Sequence, residues 1–403
     1  MKILHTSDWH LGHTLYNYDR TAEQQAFLRQ LTRIVTEEQP DAMVVSGDIY
    51  HYSSPAAATQ KMYTDAMLNI HQACPGMAIV VTAGNHDSSS KLEIDSSLWQ
   101  HFGLNVVGNI ERTAEEVNLD KHIIEVKNGQ ETKGYVIAVP HVYPQNFPLL
   151  DTETPRDQRQ TRFFQALLDE VKKRNTAQLP VVLMAHLSIE GSDRSGHDES
   201  IGGIEYVPLS AMGEGYDYLA LGHIHCPQDI KGSHHHARYC GTPLPVSFDE
   251  TYPHSVSIIE LEKGAEPQIS TREIENPIPL VTLPHDPTPF EDALKLLEEY
   301  PEEKPAYLRL NVLTKGYLPP DCNEKASNAA KGKACKYCYI KTTRERQADT
   351  DESKPISIQE MQEMSPLEIA RLYYRETEGE EMDTELCQLM ETVVQKVKSK
   401  NNS

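Results

Sequence analysis

The chain has 403 residues, 38% of them apolar and 24% charged, a length that predicts two or three domains and a balance that fits a soluble globular protein. No run approaches the ~20 apolar residues that span a bilayer. The opening MKILHTSDWH has one Lys before a strand-like run, so no secretory leader is expected and a cytoplasmic location is the simplest reading. Asp and Glu number 60 against 38 Lys and Arg, giving a net charge of −22, which opposes unaided binding to nucleic acid because phosphate contacts draw on positive charge.

Through the first half, strand-like runs alternate with helical patterns. Lys2 to Thr6 leads into Asp8-Trp9-His10, and Thr21 to Glu38 carries Phe27, Leu31, Ile34 and Val35 at helical spacing. Ala42 to Ser46 ends at Gly47-Asp48, and Pro55 to Ala73 reads as a helix opened by proline. Met77 to Thr82 runs into Gly84-Asn85-His86-Asp87. This β-α-β-α-β order predicts helices packed on a partly parallel sheet. His122 to Lys127 and Gly134 to Pro140 form a hairpin pattern around Asn128-Gly129; a helix from Arg156 to Lys173 follows, then the runs PVVLMAH and YDYLALGHIH. From Ile230 to Ile274 short strands separated by turn residues predict a second sheet.

Composition changes near Glu275-Asn276-Pro277. Strand, helix, strand, helix, strand is the pattern from Pro279 to Arg346, with helices at Phe290 to Tyr300 and Pro319 to Ala330, a small α+β unit. Gln347 to Pro355 is polar and reads as a linker, and Ile358 to Lys398 is helical in pattern. The expected domains are therefore 1–275, 276–346 and 347–403. The seven cysteines are odd in number and scattered, which argues against a disulfide framework. Cys335-Lys336-Tyr337-Cys338 has zinc or redox spacing but lacks enough nearby ligands for a tetrahedral site. His234-His235-His236 reads as a loop.

Chemistry concentrates in SDWH, SGDIYH, GNHD, MAHLS and GHIH, each at the carboxyl end of a strand-like run, the edge where open α/β sheets bind ligands. Asp8 and His10, like His223 and His225, sit two apart, so an extended chain projects each pair to one side. Asp8, His10, Asp48, Asn85, His186, His223 and His225 form an oxygen and imidazole donor set without thiolate, suited to Mn, Fe, Zn or Ni. With Asp48 bridging, two ions ~3.5–4 Å apart would each receive four protein ligands, an arrangement used for in-line attack on phosphate esters. Singly, each residue has a plainer reading: Asp48 and Asn85 as turn residues, His186 as a satisfied core histidine. Their joint occurrence at five strand ends favours the metal centre.

HTSDWHLG (5–12), SGDIYHYSSP (46–55), AGNHDS (83–88), LALGHIH (219–225), YCGTPLPVSFDE (239–250) and MSPLEIARLYYRETEGEE (364–381) together resemble the calcineurin-like metallophosphoesterases. Within them the chain is similar to the bacterial SbcD-type nuclease subunits, relatives of the meiotic-recombination nuclease. The resemblance implies a two-sheet αββα sandwich with an α+β capping domain that binds DNA and a C-terminal helical tail. It implies one Mn held by Asp8, His10, Asp48 and His225 and another by Asp48, Asn85, His186 and His223, with Mg or another divalent ion as the alternative. His86 would serve as acid or charge stabiliser, with Asp87 orienting it, and His51 would help place the scissile phosphate. Serine/threonine phosphatases carry Asp-Arg-Gly where this chain has Ile49-Tyr50-His51-Tyr52, which counts against that activity.

The activity so implied is Mn-dependent hydrolysis of DNA, as a 3′-to-5′ double-strand exonuclease and single-strand endonuclease acting in recombination and repair. The implied partners are DNA and an SbcC-type coiled-coil ATPase, within a heterotetramer built on a homodimer for which the helix from Pro55 is a candidate surface. Leu367, Ile369, Leu372 and Tyr373 make an apolar helix face that suits docking on such an ATPase. A phosphodiesterase for a small substrate such as a cyclic nucleotide, and a silent scaffold for the ATPase, are the competing expectations.

Overall fold

The computed structural model describes residues 1–112, 117–151, 154–195, 206–344, 365–378, 382–383, 386–387 and 389–390. The chain divides into two compact units, Met1–Arg344 and Glu345–Ser403. The first unit opens with β1 (Lys2–Thr6), α1 (Thr21–Glu38), β2 (Ala42–Ser46), α2 (Ala57–Ala73), β3 (Ala78–Thr82) and β4 (Leu104–Val107). β5 (Ile123–Asn128) and β6 (Glu131–Ala138) form an antiparallel hairpin, and α3 (Arg159–Arg174) leads to β7 (Val181–His186) and β8 (Tyr218–Gly222). β9 (Gln228–Asp229), β10 (Ala237–Tyr239), β11 (Ser255–Glu260) and β12 (Gln268–Glu273) complete two six-stranded sheets. Their orders are β12-β11-β1-β2-β3-β4 and β9-β10-β8-β7-β6-β5.

The near-continuous apolar runs of β1, β2, β3 and β7 follow from burial on both faces. Alternate side chains divide between two cores. Ile3, Val44, Val80, Val136, Val182 and Ile259 fill the space between the sheets. Leu4, Met43 and Val81 face the other way, against Phe27 and Leu31 of α1 and Met67 and Ile70 of α2. Ile137, Leu183 and Leu221 of the second sheet pack on Phe163, Phe164 and Leu167 of α3. Helix, sheet, sheet and helix thus stack in four layers, as the family resemblance implies.

The segment from Ile230 to Ile274 departs from expectation. β9 and β10 do join the second sheet, but β11 pairs antiparallel with β1, Ile3 opposite Ile259, and β12 extends that first sheet. Periodicity identifies a strand; it does not name its neighbour. The second sheet is instead centred on β6, β7 and β8, whose pairings are parallel.

Beyond them, β13 (Leu280–Thr288), α4 (Phe290–Glu298), β14 (Tyr307–Thr314), α5 (Cys322–Ala330) and β15 (Lys336–Arg344) alternate as expected and make a parallel three-stranded sheet. Phe290, Ala293, Leu297, Leu308, Leu310 and Val312 form its core. α5 begins at Cys322, three residues after the expected start at Pro319. The His234-His235-His236 tract lies in the turn between β9 and β10. In the second unit, α6 (Pro366–Glu378) opens with a capping box in which Ser365 Oγ accepts from the Glu368 N–H and Glu368 Oε2 from the Ser365 N–H. The expected linker at 347–355, and most of the expected helix from Met382 to Val397, lie outside the described residues. No described helix is long and apolar enough to cross a membrane.

Candidate metal centre

The carboxyl ends of β1, β2, β3, β7 and β8 meet at one edge of the sandwich, where the loops after them carry the candidate ligands. Tight turns make the convergence possible. Asp8, His10, Asp48 and His223 all adopt positive φ, between 45° and 99°, a conformation that L residues avoid and that concentrates at functional sites. Gly84 gives the third loop its closeness: a Cβ there would stand 2.1 Å from Asp48 Oδ1.

The structure brings every predicted ligand together. His10 Nε2 lies 3.3 Å from His225 Nε2 and 3.9 Å from Asp48 Oδ2. His186 Nε2 lies 3.4 Å from the same carboxylate oxygen and 2.9 Å from Asn85 Oδ1. Asn85 Oδ1 in turn is 3.0 Å from His223 Nδ1. Asp8 accepts the His223 backbone N–H at 3.1 Å. Among the described residues three groups have metal-ligand spacing: Asp8, His10 and His225; Asp8, Asp48 and His186; and His10, His51 and His86. Asp8 is common to the first two groups, and Asp48 Oδ2 lies between His10 and His186, within 4 Å of both, so either carboxylate stands where a bridging ligand would. No such group among the described residues includes a cysteine, and Cys335 and Cys338 are free thiols.

The tautomers suit metal binding. His186 Nδ1 donates to the Ser46 carbonyl at 2.8 Å, and His225 Nδ1 donates to Glu250 Oε1 at 3.0 Å. Each ring is left with its Nε2 lone pair toward the centre, the outer partner fixing orientation and raising basicity. Burial alone would lower the pKa of His186, but Asp48 and Asp8 outweigh it and raise the ring to about 9. Burial likewise opposes a charge on Asp48, yet His186, His10 and His86 hold it ionised, well below the usual carboxylate range. The two buried carboxylates demand positive charge, which a divalent ion supplies in place of ring protons. The donor set fits a pair of divalent ions.

His86 and His51 stand beside this cluster. His86 donates its backbone N–H to Asp48 Oδ1 at 2.9 Å and its Nδ1–H to the His51 carbonyl at 2.9 Å. Its ring stacks on His51 at 5.3 Å and meets His10 edge-on at 5.0 Å. Burial and the neighbouring His86 lower His51 to about 4, so it is neutral. Asp87 does not orient His86. Its Oδ2 accepts the Ile49 and Gly84 N–H groups at 3.1 and 2.9 Å, and its Oδ1 the Tyr50 N–H at 2.9 Å. It pins the Asp48 loop to the Asn85 loop, because three backbone donors converge on its carboxylate while the His86 ring is held by the His51 carbonyl.

Three neighbours carry no role in the sequence reading. Glu250 is the buried partner of His225, and only its place at the end of YCGTPLPVSFDE could have marked it. His141 donates Nδ1–H to the His186 carbonyl at 3.1 Å; it follows β6 as the ligands follow their strands, so the same strand-end signal was available. His13 packs 4.6 Å from the His51 ring and is lowered to about 2 by burial and by His51; no local pattern singles it out.

The chain is similar to known proteins over most of its length. The family described as Calcineurin-like phosphoesterase matches residues 1–227, and that described as Type 5 capsule protein repressor C-terminal domain matches residues 276–378. The chain is 34% identical to the SbcD subunit of the nuclease SbcCD from Rhodobacter capsulatus over 309 residues, 74% of this chain and 75% of that one. It is 28% identical to the Escherichia coli K12 protein of the same name over 395 residues, covering 95% and 94% of the two chains. Against the Bacillus subtilis protein of that name identity is 33%, with 66% and 68% covered. With two stacked sheets, a divalent dinuclear centre implied by the fold and these relatives, the chain belongs to the calcineurin-like phosphoesterase family as an SbcD-type nuclease subunit, a hydrolase of phosphodiester bonds.

Proposed function

We propose that the chain is a Mn2+-dependent DNA nuclease acting as a 3′-to-5′ double-strand exonuclease and a single-strand endonuclease beside a coiled-coil ATPase of the SbcC type. The observation that carries this reading is the convergence of six oxygen and nitrogen donor side chains with the buried Asp48 carboxylate, without thiolate. Asp8, His10, Asp48 and His225 would hold one ion, and Asp48, Asn85, His186 and His223 the other. When bound, the pair activates water and stabilises charge on the phosphate oxygens.

The remaining work falls to side chains. His86, with Nδ1 committed to the His51 carbonyl, has Nε2 free to hold a proton for the departing sugar oxygen. His51, neutral and partly buried, offers a hydrogen bond to the scissile phosphate without adding charge. Asn85 contributes an oxygen with no further negative charge facing an anionic substrate.

The net charge of −22 assigns much of the DNA contact to the partner, to the capping unit or to a local basic patch. Ile369 and Tyr373 are exposed on α6, and that helix is the proposed dock for the ATPase. Dimerisation through α2 completes the assembly. The test is metal-stripped protein given linear duplex DNA or a cyclic nucleotide, with and without Mn2+. Mn2+-restored degradation of DNA that far exceeds cyclic nucleotide hydrolysis supports the nuclease; the opposite ratio assigns the chain to small phosphodiesters.

A further inference from the structure

The segment between Thr242 and Glu250 is tied at both ends to one candidate ligand. The Thr242 N–H donates to the His225 carbonyl at 3.1 Å, and Glu250 Oε1 accepts the His225 ring N–H at 3.0 Å. Thr242 Oγ1 donates to Glu250 Oε2 at 2.9 Å and closes the loop on itself. Between these ends the strap is gripped by the capping sheet. Arg309, in the middle strand β14, is only 5% exposed. It donates Nη1 to Asp249 Oδ1 at 2.7 Å and to the Tyr339 hydroxyl at 3.0 Å, Nη2 to the Phe248 carbonyl at 3.3 Å, and Nε to Thr282 Oγ1 at 3.0 Å. Its guanidinium carbon lies 5.2 Å from the Phe248 ring centroid and 6.0 Å from that of Tyr339. A second grip comes from Arg20, which donates to the Pro245 carbonyl at 2.6 Å and lies over Tyr307, the first residue of β14.

We propose that Arg309 is a positioning residue for the metal centre, acting through Phe248–Asp249 and Glu250 to hold the His225 ring with its Nε2 toward the ion shared with His10. This rests on the metal-binding reading of the site. Asp249 and Glu250 are adjacent, so the backbone that Arg309 fixes is the backbone that aims the Glu250 carboxylate. Releasing it lets Glu250 leave the ring, and His225 then exchanges tautomers and loses its orientation. Outer partners of ligating histidines typically contribute ~10- to 100-fold in metal affinity. A planar fork that bonds two groups at once suits this task better than an ammonium would. The capping sheet is thereby coupled to one half of the centre, although it contributes no ligand.

The test uses the full chain. Mn2+ titration followed by the spectrum of the free ion should give two ions per chain in the parent. In Arg309→Ala one ion should bind at least tenfold more weakly and the other within twofold of normal. Glu250→Gln should do the same, and the double variant should be no weaker than Glu250→Gln alone, since both residues act along one line. Nitrogen NMR of metal-free, histidine-labelled protein at a pH high enough to leave the rings neutral, with His225→Gln for assignment, should show the His225 proton fixed on Nδ1, where Glu250 accepts it, in the parent and divided between both nitrogens in Arg309→Ala. Where Arg309→Ala fails to fold by thermal melting, Arg309→Lys keeps the charge without the fork and serves for both measurements. An unchanged His225 tautomer with unchanged affinity overturns the proposal. A tautomer that follows Arg309 in a chain binding no ion pair upholds the coupling and overturns the metal reading instead.

Discussion

His86 illustrates how much of the site can be read one residue at a time. A histidine after Gly84-Asn85 has no task in forming a turn, and the structure commits its Nδ1 to the His51 carbonyl and its backbone N–H to Asp48 Oδ1. Replacing it by alanine should lower kcat on DNA by ~10²- to 10⁴-fold while two Mn2+ ions still bind; digestion at the parent rate would remove its proton-holding role. Asp87, its neighbour, shows where adjacency misleads. Sequence order places the carboxylate beside the ring, but side-chain direction depends on loop dihedrals, and it serves three backbone donors instead. Asp87→Ala strands those buried N–H groups at roughly 1–3 kcal/mol each. Asp87→Asn, which keeps one acceptor, should be milder in thermal denaturation. Equal melting of Asp87→Ala and the parent would show that water or another group satisfies those donors. Glu250 was still harder to read, since its partner His225 lies 25 positions away and only the fold sets them face to face.

Among the elements, legibility tracks burial. β1, β2, β3 and β7 announce themselves as apolar runs because both faces are covered, and their polar ends then stand out as candidate ligands. The β11–β12 hairpin reads as strands without revealing that β1 is its partner. His5 could not be read either: a polar residue within β1, it faces Tyr218 and Ser46 between the sheets, with Nδ1 3.0 Å from the Tyr218 hydroxyl. Burial lowers it from 6.5 to about 3. The unfolded chain therefore binds the extra proton between those values, and stability rises with pH across that window. His5 leaves stability intact above pH 6.5 and subtracts from it increasingly as pH falls, on the order of 3 kcal/mol by pH 4. His5→Asn should flatten the decline in denaturation midpoint from pH 7 to 4; a slope equal to the parent's would mean that the ring does not control it. The sheets also approach closely at Gly222, where an added Cβ would fall 1.8 Å from the Ser46 carbonyl. Gly222→Ala should separate the β2 and β8 ends and cost several kcal/mol, roughly the upper range for single substitutions. A fully stable variant would show the sandwich more yielding at its catalytic edge than close packing allows.

At the scale of the whole molecule, the candidate ligands and the proposed ATPase dock occupy different units. Every candidate ligand, together with His51, His86 and Glu250, lies within the compact unit Met1–Arg344, as does the capping sheet whose Arg309 grips the strap next to Glu250. The helical unit after Glu345 supplies none of them, and its described helix exposes Ile369 and Tyr373, apolar area that costs free energy in water unless something covers it. Deleting residues 356–403 should therefore leave Mn2+-dependent hydrolysis of a small diester close to that of the full chain. The same deletion should abolish co-purification with the coiled-coil ATPase. DNA binding by the chain without its partner should be weak and should fall steeply with salt, since a field of −22 leaves only local cationic contacts to hold phosphates. Co-purification that survives the deletion would move the dock into the first unit. Loss of small-diester hydrolysis with the tail, at unchanged Mn2+ affinity, would mean that the helical unit completes the active centre rather than recruiting a partner to it.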